Sequence, residues 1–152
     1  RAGRGFYLED GPNTLAPRKR TMNTIQAYMA FLGGQPWLAG GTPGGDAQPQ
    51  WNTQVLTSII DFGFSPQQAA DAPRWTSHPG TDPATIDAPP SLALEPGFPE
   101  STFRELERLG HSVAHSPGAQ SLGAAQLITI DAASGIRQGA CDGRTDGHAA
   151  AH

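Results

Sequence analysis

The sequence predicts an α+β fold, in which short strands and helices pack in layers. Apolar runs bounded by glycine predict strands, most clearly at residues 25–32 and 122–131. Between them, residues 47–62 carry apolar side chains at helical spacing. The 14 prolines and 19 glycines are typical of short strands and loops and argue against a helical bundle. Strands with helices after and between them favour a layered α+β architecture.

A β-hairpin is the first regular element predicted along the chain. Residues 1–20 are expected to form an irregular approach segment. Residues 25–32 then form a strand, Gly33 and Gly34 the turn, and residues 35–39 the second strand.

Two helices are predicted to follow the hairpin. Asp46 is the expected N-cap of a helix over 47–62, and Gly63 ends it. Ser65 as N-cap and Pro66 at the first helical position predict a short second helix. The apolar face of the longer helix is expected to comprise Trp51, Val55, Leu56, Ile59 and Ile60.

The second half of the chain is predicted to add short antiparallel strands around one helix. The strands are expected at 74–77, 91–95, 111–115, 122–131 and 135–140. The helix covers 99–109, turns Phe103, Leu106 and Leu109 inward, and ends at Gly110.

Charge and hydropathy exclude two classes of partner. The net charge is −4, and the basic cluster Arg18-Lys19-Arg20 is too small for a nucleic-acid-binding surface. No apolar run approaches the length that crosses a bilayer, so no membrane span is predicted.

The remaining reactive side chains predict neither a metal nor a cofactor. His111 and His115, like His148 and His152, lie four residues apart but outside any predicted helix, so metal binding is not expected. The single cysteine, Cys141, is expected to be a buried inert thiol. A lone cysteine fits cytoplasm or periplasm. We expect Arg74 to be structural and to pair with a carboxylate across layers.

The most informative segment is residues 37–46, which predict a strand, a glycine-rich turn and a helix start. Such a turn can direct backbone N–H groups towards negative charge, either a phosphate or an oxyanion. A tight connection without a ligand is an equal alternative. The glycines of 40–45 match neither phosphate-binding fingerprint, because no Gly-Lys-Ser/Thr follows and their spacing is wrong for G-x-G-x-x-G.

The amino-acid sequence of this segment resembles a motif of a known family. Gly41-Thr-Pro-Gly-Gly45 is similar to the G-[ST]-P-G-G motif of γ-glutamyltransferases, which are N-terminal-nucleophile hydrolases. Residues 17–24 resemble that family's P-x-K-R-P-x-x-[ST]-[ST] run. Residues 60–65, 72–75 and 142–147 also resemble its C-terminal half, in the same order, so the resemblance covers nearly the whole chain.

The resemblance implies an architecture and a partner. It implies part of a four-layer αββα sandwich that is incomplete in this chain. Residues 1–152 would form the C-terminal portion of a small subunit whose threonine nucleophile lies upstream. The partners implied are the large-subunit half of the same precursor and a small-molecule acyl amide, without a cofactor. The fragment alone is expected to be inactive, and the parent protein periplasmic or secreted, with cytoplasm possible.

The resemblance also implies roles for individual residues. Gly44 and Gly45 would form the oxyanion hole, and Asn23 and Thr24 would contact the carboxylate of the acyl donor. Gly5 stands where glutamyl-specific members carry an Asp that binds the α-amino group. This leaves three alternatives: a γ-glutamyl amidohydrolase, a β-lactam-side-chain acylase of the same family, or a non-catalytic fragment. Arg1 or Arg4 could bind a carboxylate of a dicarboxylic donor.

Overall fold

The computed structural model describes residues 10–11, 14–20, 25–80, 86–116 and 123–150. Within these ranges the predicted α+β fold is confirmed. The elements in chain order are β1 Tyr28–Leu32, β2 Gln35–Gly41, α1 Gln48–Ile60, α2 Pro66–Asp71, β3 Trp75–His78, β4 Ser91–Leu94, α3 Glu100–Arg108, β5 Val113–His115, β6 Gln126–Ile130 and β7 Arg137–Cys141. A single 3₁₀ turn, Gly45–Ala47, precedes α1.

The described strands form two sheets. The larger is antiparallel throughout, in the order β1-β2-β6-β7, and the smaller has the order β3-β4-β5. The expectation of antiparallel pairing was wrong for β4 and β5, which are parallel. The intervening α3 supplies the crossover that a parallel pair requires.

The core lies between one face of the larger sheet and helices α1 and α2. Tyr28, Gly40, Leu127 and Ala140 are cross-strand partners in one row. The buried cluster built on this face consists of Val55, Ala69, Ala70, Ala125, Leu127 and Ala140. Its alanines let α2 pack closely against the sheet, because they add little volume between the backbones.

The opposite face of the larger sheet is apolar and exposed. Met29, Phe31 and Ile128 are 57%, 59% and 49% exposed, respectively. Met29 and Ile128 both pair with Ala39, one from each neighbouring strand, so they lie in one row on the same face of the sheet. An apolar sheet face of this kind fits an inner layer of a sandwich.

Glutamine side chains cover the backbone at two strand edges. We use the term amide clamp for a glutamine that both donates to and accepts from the backbone of one strand residue. Gln54 clamps Trp75 at 2.9 and 3.0 Å, and Gln67 clamps Cys141 at 2.8 and 3.2 Å. Gln50 clamps Ser77 in the same way, at 3.1 and 2.7 Å. These bonds satisfy edge groups that would otherwise be open to another strand.

The helix boundaries confirm some cap predictions and correct others. Ser65 caps α2 through a capping box with Gln68. Gly110 follows α3 with φ 93°, and the bonds from Gly110 N to Glu107 O and from His111 N to Leu106 O complete a Schellman motif. Asp46 is not an N-cap, because it lies inside the 3₁₀ turn and α1 begins only at Gln48.

Two apolar residues predicted to face inward do not. Ile60 is 57% exposed at the end of α1, and Leu109 is 60% exposed just after α3. Both stand at the C-terminal ends of their helices, where solvent reaches the side chain. Phe103 is buried as predicted.

Candidate active site

An open cavity of about 370 Å³ lies where β2 ends and the glycine-rich turn begins. Three chain segments and α1 meet there: the approach to β1, the turn after β2 and the approach to β6. The cavity is lined by Ile25, Gln26, Ala27, Gly41, Thr42, Pro43, Gly44, Gln48, Ala124 and Gln126.

Glycine is required at two positions of the turn. Gly44 has φ 154°, and a Cβ on it would lie 2.1 Å from Cζ3 of Trp51. Gly45 has φ 55°, but a Cβ there would meet nothing within 4 Å. The constraint at Gly44 is therefore both steric and conformational, whereas at Gly45 it is conformational only.

The N–H groups of this turn are available to a ligand. Among the described residues, no protein acceptor takes a hydrogen bond from the N–H of Gly44 or Gly45. Gly44 borders the cavity, and Gly45 is the next residue along the turn. The two N–H groups are therefore candidate donors for an anion or oxyanion at the rim.

Helix α1 fixes the opposite wall of the cavity. The Gln26 N–H donates to Oε1 of Gln48 at 3.2 Å, and Nδ2 of Asn52 donates to the Gln26 carbonyl at 2.8 Å. Both side chains are buried. The wall at 25–27 continues directly from Asn23 and Thr24, which lie outside the described residues.

Cys141 is the one remaining reactive side chain of the sequence analysis that lies near the cavity within the described residues. Gly5, Arg1 and Arg4 also lie outside the described residues. Cys141 is only half-buried, so the expectation of a buried thiol was wrong. Its Sγ donates to Oε1 of Gln126 at 3.0 Å, and this links β7 to a residue that lines the cavity.

A buried ion-pair network ties the elements behind the site together. Arg74 donates to Asp142 at 2.6 Å, with both side chains 1% exposed or less, which confirms its predicted structural role. Arg144 donates to the other Asp142 oxygen at 2.9 Å and forms a second ion pair with Glu95. The Ala125 N–H completes the shell of Asp142 at 2.8 Å.

The network shifts the pKa values of two of its members, Asp142 and Arg144. Burial alone would raise the pKa of the Asp142 carboxyl, but hydrogen bonds from the N–H groups of Ala125 and Arg144 and from both guanidinium groups lower it below its ordinary value. Burial opposes charge on Arg144 as well, yet bonds to Glu95 and Asp142 raise its pKa. Both shifts favour the charged forms of Asp142 and Arg144.

The neighbouring core also perturbs a tyrosine. Burial raises the pKa of Tyr28 to about 12, partly offset by the positive charge of Arg74. A Cβ on Gly40 would lie 2.7 Å from the Tyr28 hydroxyl oxygen, so this glycine leaves room for the ring. The phenol stays neutral at physiological pH.

Sequence reasoning missed Gln48, Asn52 and Thr42, all of which are buried beside the cavity. The available signal was their closeness in sequence to the glycine-rich turn, because polar side chains that become buried there need hydrogen-bond partners. Within the described ranges, no group of three or more metal-ligating side chains comes together. No described helix has the length and apolarity to cross a membrane.

Helices on one face of an antiparallel sheet, an uncovered apolar face and a glycine-rich turn at the strand ends fit one part of the layered N-terminal-nucleophile hydrolase fold. The chain belongs to the gamma-glutamyltranspeptidase family, whose sequence profile matches residues 2–152.

Similar sequences come from amide hydrolases of this family. The glutathione hydrolase-like YwrD proenzyme of Bacillus subtilis is 37% identical over 97% of this chain and 27% of its own length. The oxamate amidohydrolase proenzyme of Klebsiella pneumoniae is 31% identical over 91% of the chain and 25% of its own length. The chain thus spans about a quarter of the length of these two relatives.

Solved structures confirm the fold. Cephalosporin acylase from Bacillus halodurans is 35% identical and superposes with a TM-score of 0.80, over 95% of this chain and 25% of that one. A gamma-glutamyltranspeptidase from Pseudomonas nitroreducens, complexed with L-DON, is 23% identical with a TM-score of 0.73. The match covers 95% of this chain and 70% of the Pseudomonas chain.

Proposed function

We propose that this chain is the C-terminal portion of the small subunit of an amidohydrolase or acyltransferase, and that it shapes the acyl site. The enzyme would cleave γ-glutamyl or related acyl amides and transfer the acyl group to water or an amine. The observation that carries the proposal is the open cavity bordered by Gly44, whose N–H has no protein acceptor among the described residues.

The proposed chemistry is nucleophilic acyl transfer. The hydroxyl of an upstream threonine attacks the amide carbonyl, and its own free α-amino group accepts the hydroxyl proton. The N–H groups of Gly44 and Gly45 stabilise the oxyanion that forms. Collapse of this intermediate expels the amine with that proton, and water or a second amine then attacks the acyl-enzyme. Asn23 and Thr24 would hold the carboxylate of the donor.

The exposed sheet face supports the proposed partner. Met29, Phe31 and Ile128 present apolar surface that a facing sheet would cover. We assign this cover to the rest of the precursor, including its large-subunit half. The site would then lie between polypeptides, and residues 1–152 alone would lack both the nucleophile and the facing layer.

The first test compares the full precursor with the isolated chain. We expect the purified precursor to cleave itself and then to release product from a γ-glutamyl or glutaryl anilide. The chain 1–152 should release none, because the nucleophile and its α-amine are missing. Activity in the isolated chain would contradict the assignment to a subunit portion. An inactive, uncleaved precursor would favour the non-catalytic alternative.

A second candidate function is that of a side-chain acylase. The 35% identity to a cephalosporin acylase favours it, as does Gly5 at the position where glutamyl-specific members carry Asp. A charge-assisted hydrogen bond contributes about 1.5–3 kcal/mol, so its absence weakens discrimination for an α-amino group.

Donor preference distinguishes the two candidates. We expect kcat/KM for a γ-glutamyl donor to exceed that for the matching glutaryl donor by less than about 100-fold, or roughly 2.7 kcal/mol. A variant with Gly5→Asp should shift the ratio towards the γ-glutamyl donor. A larger preference in the unmodified enzyme would mean that another residue binds the amine.

A further inference from the structure

We infer that Thr42 is a positioning residue of this site, which orients and polarises the peptide between Pro43 and Gly44. The inference rests on the proposed role of the Gly44 N–H as an oxyanion donor. It adds a residue whose side chain acts on that donor through the backbone.

The Thr42 hydroxyl has two defined partners. Thr42 is 6% exposed, and its Oγ1 accepts a hydrogen bond from the Ala124 N–H at 2.8 Å. The hydroxyl hydrogen is donated to the Pro43 carbonyl at 2.9 Å. Because the Ala124 N–H occupies a lone pair of Oγ1, the hydroxyl hydrogen is directed towards the Pro43 carbonyl.

The same contacts fix the direction of the Gly44 N–H. The carbonyl of Pro43 and the N–H of Gly44 belong to one planar trans peptide, so they point in opposite directions. The carbonyl is held on the side of Gly123, where a Cβ would lie 2.8 Å from Pro43 O and 2.3 Å from Thr42 Oγ1. The Gly44 N–H therefore points away from this contact.

Such a restraint is needed because the turn itself is permissive. Gly44 is exposed and adopts positive φ, and a glycine lets the peptide that precedes it rotate at little energetic cost. A donor contributes most to catalysis when it is already oriented before charge develops. A hydrogen bond to the carbonyl also strengthens the N–H of the same amide as a donor.

The test is Thr42→Val in the full precursor, with Thr42→Ser as the rescue variant. Valine keeps the shape of threonine but has no hydroxyl. We expect kcat to fall about 10-fold, which is about 1.4 kcal/mol, while KM changes by less than about twofold. Thr42→Ser should restore most of kcat. A crystal structure of Thr42→Val should show a rotated Pro43–Gly44 peptide.

Ser65→Ala is the matched stability control. It removes the N-cap of α2 without touching the turn, so it should lower thermal stability but leave kcat unchanged. An unchanged kcat in Thr42→Val, or an unchanged peptide orientation, would overturn the inference, as would an equal loss of kcat in Ser65→Ala. An unmodified precursor without activity would refute the proposed function instead, and the peptide orientation would then decide the role of Thr42.

Discussion

Replacing Asp142 with alanine is expected to lower the free energy of unfolding by about 3–5 kcal/mol, the usual effect of breaking a buried ion pair. The substitution leaves the buried guanidinium of Arg74 without its carboxylate, and Arg144 keeps Glu95 as a carboxylate partner beside the carbonyls of Ala70 and Ala72. It also removes the acceptor of the Ala125 N–H, at the approach to β6. The measurement is denaturant unfolding of the full-length protein at neutral pH.

Glu105→Ala is the control for this effect. Glu105 and Arg108 form an ion pair of the same length, 2.6 Å, but their side chains are 56% and 68% exposed. Solvent screens such a pair, so its loss should be far smaller. Equal losses in the two variants would contradict the structural role assigned to the buried network.

The Asp142→Ala substitution should also alter how the free energy of unfolding depends on pH. The folded state holds the pKa of Asp142 below its ordinary value of 3.8. Its contribution is therefore complete above that value and is lost as the pH falls through the lower, folded-state pKa. Between about pH 7 and pH 3, Asp142→Ala should lose less stability than the unmodified protein.

Local sequence signals predicted the hairpin, α1, α2 and α3, because turn, capping or helix-ending residues lie next to each of them. Gly33-Gly34, Ser65-Pro66 and Gly110 act within a few residues of the element that they begin or end. The parallel pairing of β5 with β4 carries no local signal, since it depends on where α3 returns the chain. Topology of this kind arises from packing rather than from the strand's own sequence.

In the candidate site, too, local features were predicted and contacts between distant segments were not. The motif at 41–45 identified the turn, because glycines at positive φ are a local requirement. The buried polar residues around it were not predicted, because Gln48, Asn52 and Thr42 find their partners in segments distant along the chain. Thr42 and Ala124, for example, are 82 residues apart. Polar side chains on a helix also usually indicate a solvent-exposed face. The amide clamps of Gln50 and Gln54 were therefore not predicted.

Gly45→Val in the full precursor is expected to lower kcat by about 100- to 1000-fold, the range found when one oxyanion donor is removed. Gly45 has φ 55°, which a β-branched residue cannot adopt without strain. A Cβ there has open space, so the substitution acts by rotating the backbone rather than by a clash. Gly44 is a poorer test, because any side chain on it would strike the buried Trp51.

Gly63→Val is the matched control for this last experiment. Gly63 follows α1 with φ 67°, and a Cβ there also meets nothing within 4 Å. Both variants should therefore carry similar backbone strain, yet only Gly45 lies next to the cavity rim. We expect similar losses of thermal stability in both proteins and a large loss of kcat in Gly45→Val alone. Near-normal kcat in Gly45→Val would remove Gly45 from the oxyanion hole. A comparable loss in both would mean that strain in the fold, not the missing donor, limits turnover.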